Sequence, residues 1–370
     1  MVHDVRPGSS NAIPSSAPPP SQKVRRYWSK QEPPTETTGG FLYSPITRPY
    51  ILETAYGHDA VEPYRHSQTW AWDILVDRLL AGHRIQRVLS LCCGFGHAER
   101  ILVPRLPDLV ECRALDIAPG AVSAAQRLAN DAGIANLHYE VADLNAYAWD
   151  PEQYDLVIAN GALHHLSNLE EVLTGVRKTL KPGGLFYSCE YIGPSYQDHS
   201  PRQLELINSA AFMVPPELRL RTGVAWHHHP SIFRTISRLY LAALREDQPQ
   251  WSGWKHVVAR ATRAVVRRPA FDFGVVHISP KSLHLKRDPS ECIRSADVLP
   301  IVRQTFPAAE IRPMGGGLLE FALDLQFYQR FDASNERHRR DFEFLCDMER
   351  HYMATGEIGS DFAFIIAQRD

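Results

Sequence analysis

Apolar positions follow two rhythms along this chain. Short runs such as Val88-Leu89-Ser90-Leu91 and Leu156-Val157-Ile158-Ala159 are nearly continuous, as strands buried on both faces are. Between them, apolar residues recur every three or four positions, the spacing of a helix with one buried face. From Pro49 to Gly82 the pattern is helical, with Trp70, Trp72, Ile74, Leu75, Leu79 and Leu80 on one stripe. Strands and helices then alternate: Arg87–Leu91, helix Ala98–Val103, Glu111–Ile117, helix Ala121–Ala132, Leu137–Val141, Tyr154–Ala159, helix Leu169–Leu180 and strand Gly184–Glu190. Such alternation predicts a parallel sheet covered by helices on both sides. Lys181-Pro182-Gly183-Gly184 marks one helix stop.

The alternation lapses after Gly193 and returns near residue 290. Helix Ser295–Phe306, strand Glu310–Pro313, helix Gly317–Tyr328, helix Arg337–Met353 and strand Asp361–Ala367 then complete the pattern. The expected organisation is therefore a tail over 1–40, a core over 41–193, an inserted, mainly helical cap over 194–289, and a completion of the core over 290–370. The tail is rich in Pro, Ser and Thr and is expected to be disordered. Arg25-Arg26-Tyr27-Trp28 interrupts it and suggests local docking on the folded body.

The chemistry starts where the first strand breaks into Cys92-Cys93-Gly94-Phe95-Gly96. About 20 residues after Gly96 comes a strand that ends in Asp116, the offset of a nucleotide-binding βαβ unit. The glycines allow a tight turn and close backbone approach to a ligand, and a carboxylate at the next strand end suits a ribose diol. Three further pieces follow. Ala142-Asp143-Leu144-Asn145 ends the third strand, Asn160-Gly161-Ala162-Leu163-His164-His165 follows the fourth, and Glu190-Tyr191 ends the fifth. The dinucleotide alternative fits poorly, since Ala98-Glu99 stands where a third glycine is expected and no Tyr-x-x-x-Lys pair is placed for hydride chemistry.

In this order and spacing, Arg87 to Ile192 resembles the class I S-adenosylmethionine-dependent methyltransferases. The resemblance implies an α/β fold, a Rossmann-like seven-stranded doubly wound sheet, with S-adenosylmethionine as cofactor. It places Gly94 and Gly96 against the methionine part of that cofactor. Asp116 and the adjoining Ile117 go to the ribose, Asp143 and Leu144 to the adenine, and Asn160 and Gly161 to the sulfonium. The chain departs from the family at Ser90, often acidic, and at Cys92, often glycine. Ser90 is expected to hydrogen-bond the loop, and Cys92 to adopt negative φ or bear strain.

Methyl transfer asks the protein to position an acceptor and manage one proton. His165 is the expected base, with His164 as the alternative and Glu190 orienting a histidine or binding acceptor hydroxyls. Consecutive residues point in different directions, so at most one histidine is expected to face the acceptor. Tyr191 and His97 are expected near the substrate. No metal is expected: the six cysteines show no C-x-x-C pair, and the adjacent His227-His228-His229 read as a solvated loop.

Composition narrows the partners. Net charge is −2 over 370 residues, so no global field draws the molecule to nucleic acid or membrane. No apolar run reaches the ~18 residues of a membrane span. The N-terminus lacks a basic-then-apolar signal, and a cytoplasmic protein is expected. The cap is basic, with 14 Lys and Arg against 6 Asp and Glu between Ser200 and Ser290. That charge suits an anionic acceptor, and Lys255, Arg260, Arg263, Arg267 and Arg268 recur at near-helical spacing. The expected activity is O-methylation of a sugar, glycan or small metabolite, with no nucleic-acid partner. Methylation of nitrogen or of a protein, and a non-catalytic adenosyl-binding scaffold, are the alternatives; oligomeric state is left open.

Overall fold

The computed structural model describes residues 21–31, 40–219, 276, 281 and 288–370. His227–His229 and the basic run from Lys255 to Arg268 lie outside the described residues. Among the described residues, seven strands form one sheet: β1 (Arg87–Leu91), β2 (Glu111–Asp116), β3 (Leu137–Val141), β4 (Tyr154–Asn160), β5 (Leu180–Tyr191), β6 (Glu310–Gly315) and β7 (Phe362–Gln368). Their order is β3-β2-β1-β4-β5-β7-β6, and β7 runs antiparallel to both neighbours.

Side chains alternate between the two faces as strand geometry requires. Val88, Ile158, Tyr187 and Phe364 enter one buried cluster, roofed by helices Arg48–Tyr56, Pro201–Met213 and Glu336–Ala354. Leu89, Val157, Phe186 and Ile365 enter the other, under helices Leu169–Thr179 and Val298–Thr305. The chain order reverses between β1 and β4, and ligands of open α/β sheets bind at that crevice beyond the strands' carboxyl ends. Pairing Leu91 with Leu115 and Ala159, and Asn160 with Cys189, brings the ends of β1, β2, β4 and β5 level there.

Several expected elements are redrawn. Within the tail expected over 1–40, residues Ser21–Trp28 form a helix, α1, lying at the start of helix Pro119–Asp131. A Cβ on Gly120 would stand 2.8 Å from the carbonyl oxygen of Ser29, so this docking requires glycine there. The single helix expected over Gly317–Tyr328 is two, Leu319–Ala322 and Leu325–Arg330. Leu323 is extended, and the Asp324 carboxylate accepts the backbone N–H groups of Gln326 and Phe327 to start the second helix. The helical stretch from Pro49 to Gly82 is likewise several pieces, ending in a π-helical turn over Leu75–Leu79. The strand expected from Gly184 starts at Leu180. No helix among the described residues is long and apolar enough to cross a membrane.

Candidate active site

The loop after β1 is held from below. Cys93 N donates to Leu115 O at 3.0 Å, and Gly94 N to Asp116 Oδ2 at 2.9 Å. Gly94 has φ 53° with nothing near its missing Cβ, so the backbone there faces open space. At Gly96, a Cβ would come within 2.1 Å of the Tyr139 hydroxyl, so a side chain is excluded by packing beneath the loop. Cys92 takes the strained alternative, with φ 50°. Ser90 points away from the loop: its hydroxyl bonds the Glu99 carboxylate, and both side chains are buried. Burial pushes the Glu99 carboxyl up to about 7, against the lowering effect of the Ser90 bond.

Asp116 caps the turn beyond β2 by accepting Ala118 N at 2.8 Å through Oδ1. Each oxygen keeps capacity for a further donor. Burial raises its pKa, opposed by the bonds from Ala118, Gly94 and Ile117. Asp143 is likewise a cap, accepting Asn145 N at 3.0 Å and the Asn145 side-chain amide at 3.1 Å. Asn145 in turn accepts from Ser167 N and Asn168 N, tying the β3 turn to the segment after the histidines.

These groups line one cleft of about 620 Å³ including its open mouth. Cys92, Gly94, Asp116, Ile117, Asp143, Leu144, Gly161 and His165 of the expected site all reach it. Ser90, Gly96, Asn160, His97, His164, Glu190 and Tyr191 are not in its wall. Asn160 and His97 are exposed at the ends of their elements. Tyr191 is turned into the core against Phe362, with ring centroids 5.4 Å apart, because its place on β5 faces the other side of the sheet from Glu190.

Six further residues in the cleft wall were not assigned a site role from the sequence: Val24, Trp28, Ala142, Asn145, Leu166 and Ser290. Val24 and Trp28 come from α1, and Asn145 and Ser290 from turns. The Trp28 ring stands edge-on to His165 at 5.5 Å. The Arg25–Trp28 stretch thus docks on the cleft itself.

Glu190 organises the histidines from behind. Its carboxylate accepts Ala162 N at 3.0 Å, Leu163 N at 2.6 Å and Tyr191 N at 2.9 Å, and bonds His164 Nδ1. Burial alone would lower the pKa of His164, but the Glu190 charge and bond override it, aided by Glu291 and Asp288, and the net shift is upward. His165 shifts downward, through burial and the neighbouring His164, against the pull of Glu291, Asp288 and Glu190. The two rings lie side by side at 4.1 Å rather than diverging, yet only His165 enters the cleft wall.

Two groups of potential metal ligands occur beside the cleft among the described residues. His165, Asp288 and Glu291, and His164, Glu291 and Cys292, each bring donor atoms within 4.8 Å of one another. Around His165, Asp288 approaches Nδ1 at 3.8 Å and Glu291 approaches Nε2 at 3.9 Å. Asp288 thus approaches one ring nitrogen and Glu291 the other.

Residues 89–186 match the family model of a methyltransferase domain. A malonyl-[acyl-carrier protein] O-methyltransferase of Acetivibrio thermocellus is 32% identical over 100 residues, 26% of this chain and 33% of the relative. An uncharacterised methyltransferase of Bacillus subtilis is 24% identical over 108 residues, 29% of this chain and 42% of the relative. The chain thus spans less than half the length of these curated relatives. Among solved structures, a geranyl diphosphate C-methyltransferase from Streptomyces coelicolor superposes with a TM-score of 0.47 at 12% identity, covering 96% of this chain and all of that one.

Proposed function

We propose that this chain, whose residues 89–186 are a class I S-adenosylmethionine-dependent methyltransferase domain, methylates an oxygen of a sugar, glycan or small metabolite. One observation carries the reading: a candidate base, His165, shares a single cleft wall with Asp116 and Asp143, the two carboxylates suited to an adenosine. The open space over Gly94 and the spare acceptor capacity of Asp116 fit S-adenosylmethionine. When bound, that cofactor supplies a methyl group activated by positive sulfur. Gly94 leaves room for its methionine part, Asp116 accepts from the ribose hydroxyls, Asp143 and Leu144 flank the adenine, and Gly161 borders the sulfonium. Asn160 contributes the strand end that precedes this turn.

The proton of the acceptor hydroxyl passes to His165. Its lowered pKa keeps the ring neutral near pH 7, the form that accepts a proton. His164 stays behind it, paired with Glu190. The basic segment between Ser200 and Ser290 supports an anionic acceptor. All six cysteines are free thiols, which suits the reducing cytoplasm. Glu291, 3.9 Å from His165 Nε2, favours a second reading in which the acceptor is an amine.

Calorimetry tests the core of this proposal. S-adenosylmethionine and S-adenosylhomocysteine should each bind one site with micromolar affinity. Heats no larger than dilution for both would end the methyltransferase reading. A labelled-methyl screen over hydroxylated and amino acceptors then separates oxygen from nitrogen transfer.

A further inference from the structure

We infer that Ser290 and Asp288 are positioning residues that fix the tautomer of His165 and leave its Nε2 as the proton acceptor. The role of that tautomer rests on His165 being the base proposed above; the tautomer itself does not.

The argument is one of donors and acceptors. Asp288 Oδ1 accepts from Ser290 N at 2.9 Å and from Ser290 Oγ at 2.7 Å. The Ser290 hydroxyl donates in that second bond, so its one hydrogen points at Asp288. Toward His165 the same oxygen offers only lone pairs, and His165 Nδ1 lies 3.2 Å away. Nδ1 must therefore carry a hydrogen. In a neutral imidazole with Nδ1–H, Nε2 holds the free lone pair. That nitrogen faces Glu291 Oε2 across 3.9 Å, too far for a hydrogen bond and wide enough for an acceptor group to enter.

Asp288 adds its charge to this geometry. It is 6% exposed, and its Oδ2 has no hydrogen-bond partner among the described residues and stands 3.8 Å from His165 Nδ1. A buried carboxylate so placed opposes loss of the Nδ1 hydrogen and stabilises the imidazolium formed once Nε2 takes a proton. The ionisable groups facing His165 are His164, Glu291, Asp288 and Glu190. His164 and His165 are thus supported differently. Glu190 bonds His164 directly, whereas Asp288 reaches His165 through a hydroxyl.

The sequence keeps these partners 123 and 125 positions from His165, on the far side of the segment outside the described residues. The test uses the full chain with 15N-labelled histidine and long-range nitrogen–proton NMR, the His165 signals being assigned by their loss in His165→Gln. Wild type should show the Nδ1–H form of His165. Ser290→Ala and Asp288→Ala should lose it in favour of the Nε2–H form that free imidazole prefers, and Ser290→Thr should retain it. An Nε2–H signal in wild type, or a tautomer unmoved by both variants, would overturn the inference. Should both variants fail to fold, the wild-type spectrum alone decides. S-adenosylhomocysteine binding by wild type, measured separately, reports on the methyltransferase reading and leaves the tautomer untouched.

Discussion

At the scale of single residues, the cleft is shaped by backbone freedom and by carboxylates already committed to the backbone. Cys92 sits in the left-handed region, where a Cβ crowds the following carbonyl. Cys92→Gly should stay within about 1 kcal/mol of wild type, while Cys92→Val should cost about 2 kcal/mol, because β-branching worsens the same clash. Urea midpoints check this, and a Cys92→Val chain as stable as wild type would contradict it. Asp116 carries a second prediction. Asp116→Ala removes the proposed ribose acceptor and the anchor of Gly94, so S-adenosylhomocysteine affinity should fall at least about tenfold, or 1.4 kcal/mol. Titration calorimetry reads this directly, and unchanged affinity would refute the site map.

Residue chemistry also shows how far the sequence could be read. Asp116, Asp143 and His165 could be singled out because each lies at or shortly after the carboxyl end of a strand, a position that chain order reveals. Ser90, expected to hydrogen-bond the loop, instead bonds Glu99, nine residues on in helix His97–Leu102. Tyr191 misled because strand alternation sends it to the opposite face from Glu190.

At the scale of elements, two contacts hold distant parts of the chain. Glu349, fully buried on helix Glu336–Ala354, accepts Gly316 N, Leu318 N and Leu319 N, each at 2.8 Å, and the Tyr50 hydroxyl at 2.6 Å. Glu349→Ala would leave four donors without their acceptor, and should destabilise by about 3 kcal/mol or more. Denaturant unfolding measures it; a loss under about 1 kcal/mol would show the bonds to be replaceable by water. The second contact is α1, whose Val24 and Trp28 close one side of the cleft. Trp28→Ala should speed S-adenosylhomocysteine release several-fold in stopped-flow displacement, with less effect on association. Equal release rates would make α1 a bystander.

At the scale of the whole molecule, three carboxyls, buried at Glu99 and Asp361 and half-buried at Glu320, act together on stability. Burial raises Glu99 and Glu320 to about 7 and Asp361 to about 8. The folded chain thus holds protons that the unfolded chain releases near pH 4. Stability from these groups is fully present below that range and falls as pH rises toward 8. Unfolding midpoints should decline across this window, and Glu99→Gln should make the decline shallower. A midpoint that rises from pH 5 to pH 8 in wild type would contradict the sign.

The sequence by itself determined the alternating architecture, the glycine loop after the first strand and the carboxylates at the strand ends. These depend on local periodicity and on spacings of a few residues to about twenty, which the chain carries in plain order. Only the tertiary structure decided that α1 covers the cleft and that Asp288 and Ser290 stand behind His165. It also decided that Glu99 answers Ser90. Each of these meetings depends on sheet order and on which face of an element is turned inward, quantities that no local pattern encodes.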